Sequence, residues 1–172
     1  MTAITSDKAI FNPDLPVIKK FVQDLNSPTK MWLYFFNYLP SALYWGVRVK
    51  KVTHQKGEVT IRLSRRTKNP FRSMYFAAQC GAAELSTGLL ASIAIRGQRK
   101  TSMLITKVEA DFVKKATGLI TFTCDEGSAI IDTVEKALQT QEGQQITVTS
   151  IGTNEKNEVV SKIYFTWSFK VK

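Results

Sequence analysis

The sequence predicts an α+β domain in which helix covers one face of an antiparallel sheet. Two patterns carry that expectation. Segments alternating apolar and polar residues with a period of two, the mark of half-buried strands, come in pairs joined by turns. Between those pairs lies a long helical stretch almost free of charge, Ser73 to Ser92. With 172 residues, one globular unit with one core is expected.

The elements follow in order. Val17, Ile18, Phe21, Val22 and Leu25 recur at helical spacing opposite Lys19, Lys20, Gln23 and Asp24. Ser27 then Pro28 is a helix start: a capping hydroxyl, then proline at the first helical position. This second helix carries Met31, Trp32, Tyr34, Phe35, Phe36 and Tyr38 and ends near Pro40. Its aromatic stripe is expected to pack on the core, with the lining of an apolar pocket as the other use. The period then changes to two. Val47 and Val49 alternate with Arg48 and Lys50, a turn falls at Gln55-Lys56-Gly57, and Val59, Ile61 and Leu63 complete a hairpin. After the central helix, Met103 to Phe112 reads as a strand. A turn at Ala116-Thr117-Gly118 follows, and Leu119 to Cys124 is expected to pair back. A helix from Ser128 to about Gln141 puts Ile130, Val134, Ala137 and Leu138 on one face, with Gly143 placed for a left-handed cap. Ile146 to Ile151 is a strand, and Asn154 to Asn157 a polar turn. In the last strand Ile163, Phe165, Trp167, Phe169 and Val171 alternate with Lys162, Tyr164, Thr166, Ser168 and Lys170. The organisation read from this is a helical extension over residues 1–43 and a sheet-containing domain over 44–172.

Composition excludes several classes. At 44% hydrophobic and 22% charged, the chain has too much apolar content for disorder. Lys and Arg number 24 against 14 Asp and Glu, giving +10, so phosphate-bearing ligands are electrostatically favoured. The basic residues are scattered and no recognition helix or RNA-binding aromatic signature is present, so nucleic acid is not expected. The two cysteines, Cys80 and Cys124, exclude a disulfide scaffold, and the single histidine, His54, excludes a His-rich metal site. No metal is expected. His54 sits near a hairpin turn and is expected to be exposed. The most apolar stretch, Met31 to Trp45, is interrupted by Asn37, Pro40 and Ser41 and is too short to span a bilayer. No membrane partner and no signal peptide are expected, and the reading is a reduced, cytoplasmic protein.

The central helix carries the candidate chemistry. With Glu84 at zero on a helical wheel, Ala77, Cys80, Gly81, Thr87, Gly88 and Ala91 fall within about 60° of it, all small. The opposite side carries Tyr75, Ala78, Leu85, Leu89 and Leu90. Each glycine inside a helix costs about 1 kcal/mol relative to alanine, so something should approach closely there. A lone carboxylate on an enclosed strip must be paired or have a raised pKa. Either Glu84 pairs with a basic residue across a subunit interface, or it directs a ligand or catalyses. Cys80 shares the strip but lacks a histidine partner and reads as a small filler.

The segment from Asn69 through Glu84, Asn-Pro-Phe-Arg-Ser-Met-Tyr-Phe-Ala-Ala-Gln-Cys-Gly-Ala-Ala-Glu, resembles the signature of hotdog-fold acyl-CoA thioesterases of the phenylacetyl-CoA and 4-hydroxybenzoyl-CoA type. Those carry an asparagine before the helix and an acid fifteen positions later, here Asn69 and Glu84. Val108 to Gly118 is similar to the strand and turn that follow. The resemblance covers about residues 45 to 172 and is nearest to an uncharacterised, thioesterase-like branch. It implies an antiparallel sheet wrapped around a long central helix, assembled as a homodimer or dimer of dimers. It also implies an acyl-CoA substrate and no separate cofactor, coenzyme A being part of the substrate. Glu84 would be general base or nucleophile at the thioester carbonyl, and Asn69 would orient the water or the loop. The backbone N–H groups of Phe76 and Ala77 would hold the oxyanion. The active enzymes carry His-Gly-Gly where this chain has Tyr75-Phe76-Ala77, a departure at the point where the thioester oxygen approaches. Among the basic residues, Arg96, Arg99, Lys100, Lys114 and Lys115 are the candidate holders of the coenzyme A phosphates. The alternative is a non-catalytic hotdog module that binds an acyl or aromatic ligand. A dehydratase is disfavoured, because those hotdog enzymes use a histidine near the central helix and His54 lies elsewhere.

Overall fold

The computed structural model describes residues 11–98 and 100–172. Three helices, α1 (Pro16–Leu25), α2 (Pro28–Tyr38) and α3 (Pro40–Trp45), precede the hairpin β1 (Arg48–Val52) and β2 (Gly57–Arg62). The central helix α4 (Phe76–Ala94) leads to β3 (Thr101–Phe112) and β4 (Leu119–Cys124). Helix α5 (Gly127–Thr140) and the hairpin β5 (Gln144–Thr153) and β6 (Val159–Val171) complete the chain. The six strands form one antiparallel sheet in the order β1-β2-β4-β5-β6-β3. Helix α4 packs against β1, β2, β4, β5 and β6, so the expected sheet around a central helix is what forms.

The alternation explains the packing. Val59, Ile61, Ile120, Phe122, Val148, Ile163, Phe165 and Phe169 are all buried, and they meet Ala78, Ala82, Ala83, Leu89, Leu90 and Ile93 of α4. Small residues on α4 let the sheet come close. At Gly57 an added Cβ would stand 2.3 Å from the carbonyl oxygen of Ser86. Backbone opposes backbone there and neither side can yield cheaply. Gly57→Ala is expected to destabilise the protein by about 3 kcal/mol. Urea unfolding should show a lower midpoint at unchanged slope.

The pairing of β3 corrects the sequence reading. β4 does not pair back on β3. It lies between β2 and β5, while β3 pairs with β6 at the sheet edge. Residues 113–118 are a crossing rather than a hairpin loop. Val113 and Lys114 donate their amides to the Val160 carbonyl, Met74 to that of Ala116, and Leu63 to that of Gly118. Periodicity fixes which face a strand buries but not which strand lies beside it.

Further differences are local. Helix α4 starts at Phe76, not Ser73. The Asn69 side chain accepts the amides of Phe71 (2.9 Å) and Ser73 (3.1 Å), holding a turn that passes through Arg72 at φ 60°. Tyr75 then donates its amide to the Thr67 carbonyl at 2.7 Å. Helix α3 is a separate short helix opened by Pro40 and closed by Gly46 in the left-handed region, φ 72°. After α5 that conformation belongs to Gln141, φ 59°, rather than Gly143. His54 is half-buried beside Phe11, with ring centroids 6.1 Å apart, rather than exposed. On α2 only Met31 and Phe35 are buried, and Trp32, Leu33, Tyr34, Phe36 and Tyr38 are exposed, against the core packing expected of that stripe. Ile18, Leu25, Met31, Phe35 and Ala42 belong to the same continuous core as the sheet. No helix among the described residues is long and apolar enough to cross a membrane.

Candidate active site

The small-residue strip of α4 is covered in two ways. At Gly81 an added Cβ would lie 2.7 Å from the ring of Trp45, so the helix is close-packed against the end of α3. At Gly88 it would lie 2.8 Å from Glu84 Oε1 and 3.5 Å from the Trp167 ring. The second close approach is therefore made by the Glu84 carboxylate itself, folded along the next turn beside Trp167. Thr87 fixes this corner. Its hydroxyl donates to the Glu84 carbonyl (2.9 Å) and accepts from Trp167 Nε1 (3.1 Å).

The Glu84 carboxylate has no hydrogen bond and no ion pair among the described residues. It faces a cavity of about 380 Å³ roofed by α1 and α2. Phe21, Leu25, Met31, Tyr34, Leu39, Leu89 and Met103 make most of the wall apolar. Arg96 is at its border, stacked on Phe21 with 4.3 Å from guanidinium carbon to ring centroid. Burial pushes the Glu84 carboxyl up from 4.5 to about 6, because the charged form loses water without gaining a counter-charge.

That shift has a measurable sign. Between pH 4.5 and about 6 the folded state holds a proton that the unfolded chain has already released. Stability therefore falls as pH rises through this window and levels off above it. The shift corresponds to about 2 kcal/mol. Glu84→Gln is expected to be more stable than wild type by up to about 2 kcal/mol at about pH 8, with the difference gone below the ordinary carboxylate range. Urea unfolding of both proteins across pH checks it.

A second cavity, of about 550 Å³, opens at the start of α4, bordered by Asn69, Phe71, Tyr75, Phe76, Gln79, Phe112, Lys114 and Lys115. Asn69 is occupied locally. Besides accepting two amides, its Nδ2 donates to Ser73 Oγ (3.1 Å) and to the Met74 carbonyl (3.3 Å). The amides of Phe76 and Ala77 have no acceptor among the described residues, as expected of a helix start. The Phe76 ring, 54% exposed, stands at the mouth against Tyr75 (4.9 Å between centroids) and Phe112 (6.4 Å). Lys114 pairs with Glu158 at 2.7 Å, and Lys115 Nζ donates to the Phe71 carbonyl at 3.4 Å. Gln79, which the sequence reading passed over, is buried here, accepting from Ser161 Oγ at 3.2 Å and donating to Met74 at 3.3 Å.

The structure thus divides the sequence-predicted residues into two groups. Glu84 and Arg96 border one cavity, and Asn69, Phe76, Lys114 and Lys115 the other. Phe76 and Glu84 are eight positions apart on one helix, so their backbones are about 12 Å apart along its axis. Within one chain, a single thioester carbonyl cannot meet both. Lys100 is exposed just before β3, and Arg99 lies outside the described residues. Both cysteines are free. Burial pushes the Cys80 thiol up and the Cys124 thiol to about 12, so neither is a thiolate nucleophile near neutrality.

Residues 33–169 match the model of a family described as Domain of unknown function (DUF4442). No curated protein matches the chain in sequence. Among solved structures, it is similar to PA5026 of Pseudomonas aeruginosa, called a protein of unknown function and probable thioesterase. The TM-score is 0.70 at 17% identity, over 85% of this chain and 97% of that one. It is also similar to thioesterase HI1161 of Haemophilus influenzae, with TM-score 0.62 at 13% identity, over 83% and 90% of the two chains. The fold is that of thioesterase-like hotdog proteins.

Proposed function

The chain belongs to the DUF4442 family, and on that premise we propose that it hydrolyses the thioester of an acyl- or aryl-CoA, with Glu84 as general base. The observation that carries this reading is the desolvated carboxylate of Glu84, unpartnered among the described residues and facing a mostly apolar cavity. A carboxylate titrating near 6 is ionised at neutral pH and basic enough to take a proton from water. The water oxygen attacks the thioester carbon, and the oxyanion is held by amides at the start of an α4 helix. The C–S bond then breaks, and the sulfur leaves with the proton that Glu84 received. The acyl group lies in the cavity under α1 and α2. The nucleotide part of coenzyme A lies among Phe71, Phe76, Phe112, Lys114 and Lys115, and no separate cofactor takes part.

Two copies complete the site in this reading. β3 is a sheet edge of twelve residues with Leu104 66% and Val108 48% exposed. Val108, Ala110 and Phe112 pair with Phe165, Ile163 and Ser161, so they face the same side as α4, yet all three are exposed. Met103, near the strand's start, borders the Glu84 cavity, and Phe112, at its end, borders the other. Antiparallel pairing of this edge with that of a second copy sets the Glu84 cavity of each beside the helix-start cavity of the other.

The test is thiol release from a panel of acyl- and aryl-CoAs by the full chain. Turnover that depends on the acyl group supports the reading. A specific observation favours a second reading, a ligand-binding hotdog module: the Phe76 ring stands at the mouth where a thioester oxygen would approach. Saturable binding of acyl-CoA without thiol release would establish that reading instead.

A further inference from the structure

The outer face of α2 is apolar, and among the described residues nothing covers it. Trp32, Leu33 and Phe36 lie on the side of the helix away from Met31 and Phe35 and are 52, 55 and 59% exposed. The Trp32 and Phe36 rings are stacked at 5.5 Å, so they present one preformed slab. Tyr44 of α3 is 60% exposed and carries Arg66, whose guanidinium lies 5.7 Å from the ring centroid and donates to the Tyr44 carbonyl.

The stretch of chain that contains α2 is strongly basic. From residue 25 to residue 83 there are ten Lys or Arg and one acidic residue, Glu58, so this span carries +9 of the net +10. Glu58 is itself engaged by Lys50 (3.7 Å) and Lys56 (3.4 Å), and Asp24, just before the span, is held by Lys30. The basic strand β1 is tied to the helices through Asn26, whose side chain exchanges two hydrogen bonds with the Val52 backbone at 2.8 and 2.9 Å.

We propose that this face docks peripherally on an anionic lipid bilayer, with Trp32, Leu33 and Phe36 seated at headgroup depth and the surrounding Lys and Arg facing the lipid phosphates. Aromatic and aliphatic side chains on an outward helix face, rimmed by cations, are what an interfacial helix requires. Charge decides against a second copy here, since pairing this face with itself brings two strongly positive surfaces together. Nucleic acid fits less well, because the outward centre of α2, Thr29, Trp32, Leu33, Phe36 and Asn37, has no cation to meet a phosphate. A peripheral contact needs no spanning segment, so the lack of one in the sequence does not bear on it.

The test is co-sedimentation of the full chain with phosphatidylcholine vesicles, with and without phosphatidylglycerol. Trp32→Ser/Phe36→Ser is run beside wild type, and a short DNA duplex and a sizing column serve as controls. The expected result is binding that requires phosphatidylglycerol, weakens with added salt, and falls at least about tenfold in the double variant. Trp emission should shift to the blue on binding, and Trp32→Phe should lose that shift while still binding. Any of four results overturns the proposal: no binding to anionic vesicles, equal binding by the double variant, binding to the duplex but not to vesicles, or a double variant that elutes as a smaller assembly than wild type. Turnover is not read, so this test and that of thioester hydrolysis stand or fall separately.

Discussion

Glu84→Gln is expected to lower acyl-CoA hydrolysis by at least about 100-fold at neutral pH, the scale of removing a positioned general base. Glutamine keeps the shape of the side chain over Gly88 and beside Trp167 but cannot accept a proton. Wild-type turnover should fall as pH drops through about 6, where Glu84 becomes protonated, and should be flat above it. The residual rate of the variant should not show that inflection. Because the same variant is expected to be more stable than wild type at neutral pH, lost turnover cannot be attributed to unfolding. Equal turnover in both proteins would remove Glu84 from the chemistry.

The edge strand gives the second large effect. Leu104→Glu/Val108→Glu places like charges along an unpaired edge, where two copies would have to align them. Both side chains are exposed in the single chain, so the fold itself should tolerate the change. Wild type is expected to elute as a dimer or larger and the variant as a monomer. Turnover should fall at least about 100-fold, comparable with losing the base, because neither copy then brings both halves of the site to one thioester. The pH dependence of stability assigned to Glu84 should persist in the monomer, since it arises from burial within one chain. A wild type that is monomeric and fully active would refute the two-copy site.

Most of the strand and helix content was legible because burial has a period. The alternation of Ile163, Phe165, Trp167 and Phe169 became a strand with that face buried, and the stretch ending at Ser92, charged only at Glu84, became the enclosed helix α4. The glycines of α4 were correctly read as marks of close approach, but what approaches was not. Trp45 lies thirty-six positions before Gly81, and no local pattern links them. The start of α4 was misplaced because Ser73 and Met74 suit a helix, while the Asn69 side chain holds them in a turn.

Residue chemistry in the sequence was enough to single out one carboxylate among small neighbours and to predict helix covering one face of an antiparallel sheet. Those conclusions depend on side-chain type and on spacing along a single element, which the chain carries in itself. Tertiary structure alone decided that β3 is an edge and not half of a hairpin, and that the aromatic side of α2 faces outward. It also decided that Glu84 and Phe76, eight positions apart on α4, border different cavities. The physical reason is that strand order and burial are set by contacts between residues distant in sequence, and the helical rise of α4 separates groups that look adjacent in the motif.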